Sequence, residues 1–275
     1  MSGVHVVPGN GGGIVRFGSG SVVASLPRAS IVPTSFTRDP HLVMIRSPHS
    51  PVAERYRRLT LRLEQRTSDD PSSRQLTVIT SAVPGEGKTT TATNLALSYA
   101  ENRKFRTLLV GADLRGPSVS RYLAPKPARG LWEVLSGDVP LDQALIETTR
   151  SKLWVLPEGA PGERPLEIGR TESLGDLIAE LRRRFDRIVI DTPPTVPFTD
   201  ASILASHADG VLLVVRARMT TTALIRRAWE SLSGANVLGV VLNDVVFTIV
   251  DRYYSRYDES EPGRYAYATK SGSAA

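Results

Sequence analysis

From residue 75 onward the sequence alternates short apolar runs with helical stretches, and that rhythm limits the fold more than any other feature. Leu76–Ile79, Thr107–Val110, Leu153–Leu156, Arg187–Ile190, Val211–Val215 and Leu238–Leu242 are rich in Val, Ile and Leu and bounded by Gly, Pro or Asp. Strands buried on both faces have that composition. Helical spacing fills the gaps over Thr91–Asn102, Ser173–Arg184, Asp200–His207 and Thr221–Ser233. Strand–helix alternation predicts an α/β fold, a mostly parallel sheet flanked by helices.

The flanks read differently. The first 21 residues hold seven glycines, and Pro27, Pro33 and Pro40 keep the next stretch irregular. Residues 1–46 are therefore expected to form a flexible Gly/Pro-rich segment. A helix is predicted from Pro51 through Glu64, with proline at its first position and Glu54 in its first turn. The folded domain is expected over 47–250, and a tyrosine-rich tail over 251–275. With 41% apolar and 23% charged residues the chain is not disordered as a whole. Without cysteine it has neither a disulfide nor a thiolate–metal site, which is compatible with a reducing compartment. Half of the +6 net charge sits in residues 1–46, so the remaining body carries too little to argue for nucleic acid. No run spans a bilayer: Val237–Val250 is short and broken by Asn243 and Asp244. The N-terminus fits neither a secretory signal nor a myristoylation site. A soluble, cytoplasmic protein is the expectation.

The sharpest chemical signal is Ser81-Ala-Val-Pro-Gly-Glu-Gly-Lys-Thr-Thr90, between a predicted strand and a predicted helix. That context suits a phosphate-binding loop, in which glycines let backbone N–H groups turn around phosphate and the helix dipole assists. Pro84, Gly85, Glu86, Gly87, Lys88, Thr89 and Thr90 are the candidate nucleotide contacts. Lys88 would reach the β- and γ-phosphates, and Thr89 would ligate Mg²⁺. Ala82 stands where the general pattern has glycine, and its small size meets the same need. Arg187-Ile-Val-Ile-Asp191 ends a strand in a carboxylate, which places Asp191 beside a metal at the carboxyl edge of the sheet. Thr107-Leu-Leu-Val-Gly-Ala-Asp-Leu-Arg115 ends another strand; Asp113 would hold Mg²⁺ through water and Arg115 would steady phosphate charge. Asn243, which breaks the last apolar run, is a further candidate nucleotide contact.

These segments, over about residues 47–257, resemble the bacterial tyrosine kinases of capsule and exopolysaccharide synthesis. Pro84–Thr89, Ala112–Ser118 and Phe185–Pro194 look like that family's Walker A, A′ and B motifs. Gly130–Gly137 and Thr199–Ala201 are similar to further family segments. The resemblance implies a P-loop NTPase fold of the deviant-Walker, MinD/ParA-like architecture, with Lys88, Asp113, Arg115 and Asp191 catalytic and ATP and Mg²⁺ as cofactors. It implies an ATP-dependent protein-tyrosine autokinase that phosphorylates neighbouring copies of itself and regulates polymerisation or export of a surface polysaccharide. With no spanning segment here, its activator would be a separate membrane-embedded polysaccharide co-polymerase that recruits it to the inner face of the plasma membrane. A homo-oligomer and a phosphotyrosine phosphatase are further implied partners, and no nucleic acid is. Glu54 and Arg57 resemble the family's oligomerisation motif, although Thr60 stands at its second arginine. The related partitioning and positioning ATPases carry an early signature lysine in the loop; here that position is Val83, which favours the kinase over a ParA/MinD-like positioning ATPase.

Five of the eight tyrosines, Tyr253, Tyr254, Tyr257, Tyr265 and Tyr267, fall in the last 25 residues, where even spacing would give fewer than one. They are the candidate phosphoacceptors, and each phosphate would add about −1.5 to −2 charges to a segment of zero net charge. One departure limits the resemblance: the family's Asp-x-Asp has Gly111 at its first position. Loss of that carboxylate leaves room for a catalytically weak nucleotide-binding adaptor, a pseudokinase of the same machinery. A large gain in rate on Gly111→Asp would show that the missing carboxylate is limiting.

Overall fold

The computed structural model describes residues 34–67, 74–116, 118–150, 152–160, 168 and 173–245. In chain order they form β1 (Ser35–Phe36), α1 (Val43–Arg46), α2 (Pro51–Thr67), β2 (Gln75–Ser81), α3 (Lys88–Glu101) and β3 (Thr107–Gly111). A 3₁₀ turn at Val119–Tyr122 leads to β4 (Leu123–Ala124), α4 (Leu131–Leu135), α5 (Leu141–Ala144), β5 (Ile146–Glu147) and β6 (Leu153–Leu156). After these come α6 (Leu174–Arg184), β7 (Arg187–Asp191), α7 (Asp200–Ser206), β8 (Gly210–Arg216), α8 (Thr222–Ser231) and β9 (Val237–Asn243). All six runs expected from sequence are strands, each within two residues of its predicted bounds.

The main sheet has the order β5-β6-β3-β7-β2-β8-β9, parallel except for short β5, which runs antiparallel along the edge. Strands β2, β3 and β7 are buried at every position, as the central strands of a sheet covered on both faces are. Their alternating side chains feed two core layers. Leu76, Val78, Leu108, Val110, Ile188 and Ile190 pack under α4, α6, α7 and α8, whereas Ile79, Leu109 and Val189 pack under α1, α2 and α3. The order matters for chemistry, because β7 lies between β2 and β3. Asp191 is thus in register with Ile79 on one side and Gly111 on the other. The three strand ends that carry the candidate motifs open side by side at one edge.

Local signals explain the helix limits. The Ser50 hydroxyl accepts the Ala53 N–H at 3.2 Å and caps α2, and Pro51 takes the first helical position, where no donor is needed. Arg57 then clasps α2 to α3, donating to both Glu101 carboxylate oxygens at 2.7 and 2.8 Å and to the Pro48 carbonyl at 2.8 Å.

One expected boundary moves. Residues 34–46 fall within the expected Gly/Pro-rich segment, yet Phe36, Leu42 and Met44 are buried core residues. β1 pairs antiparallel with β4, and the Met44 N–H donates to the Asn94 side chain on α3 at 3.2 Å. Three apolar residues scattered among prolines have no periodicity to read, so the sequence hides their burial. Residues 1–33 and the 251–275 tail lie outside the described residues.

Candidate functional site

The phosphate-loop segment leaves the end of β2 and re-enters the chain as α3, which begins at Lys88, three residues before the expected Thr91. Gly87 is the residue before the helix and has φ +94°; Gly85 has φ +82°. Both lie in the left-handed region open to glycine. At Gly87 space is limiting as well: a Cβ there would stand 2.1 Å from the Asn243 side-chain nitrogen. No side chain caps α3, so its first-turn N–H groups are left for an anion. Ala82 is fully buried, in keeping with the need for a small residue.

Three of the expected nucleotide contacts have side chains that serve the loop itself. Glu86 is only 2% exposed; it accepts the Val83 N–H at 2.7 Å, the Arg216 N–H at 3.3 Å and the Thr220 hydroxyl. Asn243, at the end of β9, donates its amide to the Glu86 carbonyl at 2.8 Å. The Thr90 hydroxyl is hydrogen-bonded to the Tyr122 hydroxyl at 2.8 Å. These side chains tie the loop to β8, β9 and the 3₁₀ turn, which leaves its backbone and Lys88 to face a ligand. Sequence patterns name the residues of such a loop but do not separate those that touch ligand from those that hold the curve.

Lys88, Thr89, Asp113, Arg115, Ser118 and Phe198 line a cleft of about 280 Å³ at the sheet edge. The Lys88 ammonium sits 3.0 Å from Asp113, with both side chains largely buried. Asp191 is fully buried, and neither of its carboxylate oxygens has an aligned hydrogen-bond partner among the described residues. Burial raises its pKa from the usual 3.8 to about 7, against the opposing pull of Lys88 and of the nearby Thr89 and Ser118 hydroxyls. The Ser118 hydroxyl is likewise buried, beside the Asp191 carboxylate and with no aligned partner among the described residues. An orphaned carboxylate beside a threonine and a lysine fits a hydrated Mg²⁺ that a nucleotide brings with it. Magnesium commonly takes one or two protein carboxylates, with phosphates and water completing its shell. Among the described residues no cluster of three His, Cys, Asp or Glu forms a closed metal cage.

Arg115 is set by elements the sequence ties together only loosely. Its guanidinium donates to Asp200 at 2.7 Å and stacks 3.8 Å over the Phe198 ring. The Thr199–Ala201 step thus supplies, through Asp200, the carboxylate that aims Arg115 into the cleft. Gly111 is more crowded than its lack of a side chain suggests. A Cβ there would stand 2.8 Å from the Glu158 carboxylate and 3.1 Å from the Glu158 nitrogen. Glu158 thus occupies the space that an aspartate side chain at 111 would need. Sequence reasoning missed Glu158, Ser118, Phe198 and Asp200 as site residues. Ser118 closes the Ala112–Ser118 stretch but carries no charge to single it out, and Glu158 lies on an irregular segment with no motif to mark it.

Other expectations fall elsewhere. Arg57 bonds within its own subunit, while Glu54 is half-exposed beside Arg57 and Arg58. Tyr253, Tyr254, Tyr257, Tyr265 and Tyr267 all lie outside the described residues. No helix among the described residues is long and apolar enough to cross a membrane.

Residues 75–233 match a family described as an AAA domain. Over 174 residues the chain is 37% identical to the tyrosine-protein kinase CpsD of Streptococcus agalactiae, covering 62% of this chain and 76% of that protein. Over 230 residues it is 33% identical to the succinoglycan biosynthesis transport protein ExoP of Rhizobium meliloti, covering 82% of this chain but only 29% of ExoP. The tyrosine-protein kinase YwqD of Bacillus subtilis is 33% identical over 207 residues, 74% of this chain and 85% of YwqD. Among solved structures, the chimerical protein CapA2B2 superposes with a TM-score of 0.70 at 29% identity, over 78% of this chain and 94% of that one.

Proposed function

The chain belongs to the bacterial tyrosine kinases of capsule and exopolysaccharide synthesis, and from that premise we propose that it is an ATP-dependent tyrosine autokinase. The observation that carries the reading is the convergence of Lys88, Asp113 and the orphaned Asp191 at one sheet edge, beside an uncapped helix N-terminus. A bound Mg·ATP would supply the transferable γ-phosphoryl group and the cation that neutralises its developing charge.

The protein's part is positioning and electrostatics. First-turn N–H groups of α3 bind phosphate oxygens, and Lys88 exchanges its contact with Asp113 for the β- and γ-phosphates. Thr89 and Asp191, with Asp113 through water, would hold the metal. Arg115, aimed by Asp200 and Phe198, faces the charge that builds on the moving phosphoryl group. The tyrosine oxygen forms the new P–O bond as the bond to ADP breaks. Asp113, released by Lys88, takes the phenolic proton.

The phosphoacceptors of this reading are Tyr253, Tyr254, Tyr257, Tyr265 and Tyr267 on neighbouring copies in a homo-oligomer, with Glu54 and Arg57 at the contact. CpsD is named as a tyrosine-protein kinase and ExoP as a biosynthesis transport protein. By analogy this chain acts on a surface-polysaccharide system from the cytoplasm, recruited by a separate membrane-embedded activator and reset by a phosphotyrosine phosphatase. Gly111 favours a second reading, a nucleotide-switched adaptor without transfer. Purified protein with Mg·ATP and the cytoplasmic part of its activator should yield phosphotyrosine that maps by mass spectrometry to 253–267, and Lys88→Met should abolish it. Tight Mg·ATP binding with an unmodified tail would instead establish the adaptor.

A further inference from the structure

A side chain is missing at Gly111, the register partner of Asp191, but a carboxylate is not. Glu158 lies just beyond β6, the strand on the other side of β3, and is only 4% exposed. Its Oε2 lies 2.8 Å from the point a Cβ on Gly111 would occupy. Among the described residues no cation pairs with it. Its partners are the Ser118 N–H at 2.7 Å, the Ser120 N–H at 3.1 Å and the Ser120 hydroxyl at 2.5 Å. Burying a carboxylate without a counter-charge is costly, so its place calls for a reason.

The surrounding backbone holds that place firmly. The Leu131 and Trp132 N–H groups donate to the Pro157 and Glu158 carbonyls at 2.7 and 3.0 Å. Glu133 accepts from the Gly130 and Ala160 N–H groups at 2.7 and 2.9 Å. Gly130 has no room for a Cβ, which would stand 2.2 Å from the Pro157 carbonyl. Thus the Gly130–Glu133 segment, which has no direct part in the cleft, fixes the turn that presents Glu158. On its other side Glu158 fastens Ser118, a cleft residue whose hydroxyl lies beside Asp191.

We propose that Glu158 is a positioning residue of the nucleotide site, supplying from the segment after β6 the negative charge that Gly111 lacks and holding Ser118 beside Asp191 for the metal. The proposal rests on the nucleotide-site reading and deepens it. It also explains why glycine is needed at 111: a larger residue would displace Glu158, and a second carboxylate would add like-charge repulsion.

The test is ADP binding by calorimetry with and without Mg²⁺, on the full chain, together with thermal melting. Glu158→Gln should melt within a few degrees of wild type and bind metal-free ADP equally well, yet lose roughly tenfold or more of the gain that Mg²⁺ confers. Gly111→Asp should lose that gain too and melt earlier. The double variant Glu158→Ala with Gly111→Asp should recover much of it, because the carboxylate has moved rather than vanished. A folded Glu158→Gln with an unchanged Mg²⁺ gain overturns the proposal alone. So does Gly111→Asp binding Mg·ADP more tightly than wild type while Glu158 is present. A wild-type chain with no affinity for Mg·ADP would overturn the nucleotide-site reading, and this proposal with it.

Discussion

Asp191 is the residue at which structure and chemistry oppose each other most directly. Its pKa is raised to about 7, so the ligand-free fold keeps the proton that the unfolded chain gives up near 3.8. This group adds no penalty below pH 3.8, the fold loses stability as pH rises from 3.8 to about 7, and above that the full cost, about 4 kcal/mol, is present. Metal needs the ionised form. Below pH 7, Mg·ADP affinity should therefore fall up to tenfold per pH unit, while metal-free ADP binding changes far less; titration calorimetry between about pH 5.5 and 8 measures both. Asp191→Asn should raise the ligand-free melting temperature at about pH 8 and remove the Mg²⁺ contribution to binding. A lower melting temperature at that pH would show that Asp191 is not a strained, uncompensated acid.

At the scale of elements, the phosphate loop is a clamp between β2 and α3 closed by residues from distant strands. Gly87→Ala strikes the Asn243 amide and forces alanine to φ +94°, so it should lose nucleotide binding outright. Asn243→Ala relieves the crowding but drops the 2.8 Å bond to the Glu86 carbonyl. It should weaken nucleotide binding about tenfold by loosening the loop, with a cost in stability of about 1 kcal/mol by denaturant melt. The strand–loop–helix context made this clamp legible in sequence, and the six strands were legible because their aliphatic runs stand out between Gly, Pro and Asp. What escaped was contact across strands. Glu86 and Asn243 looked like ligand groups because nothing in the linear pattern shows that they meet each other. Glu158 lay unseen because the partners that explain it, at 111, 118 and 120, are roughly forty positions away in sequence.

On the scale of the whole molecule, the described chain has two core layers, one on each face of the sheet, and the segment from residue 34 belongs to the second. Leu42 is fully buried there, so Leu42→Ala should cost about 2–5 kcal/mol in urea unfolding. A cost below about 1 kcal/mol would return this stretch to the leader that its prolines suggested. The proposed function also spans more than one molecule, since the acceptor tail of one copy must reach the cleft of another. Transfer between copies tests it most directly. A chain with its five tail tyrosines changed to phenylalanine serves as donor, and a Lys88→Met chain with its tail intact serves as acceptor, mixed with Mg·ATP and the activator. We predict phosphotyrosine on residues 253–267 of the Lys88→Met chain. If the donor binds Mg·ATP and the acceptor stays unmodified, the account of this protein as a tyrosine autokinase is wrong.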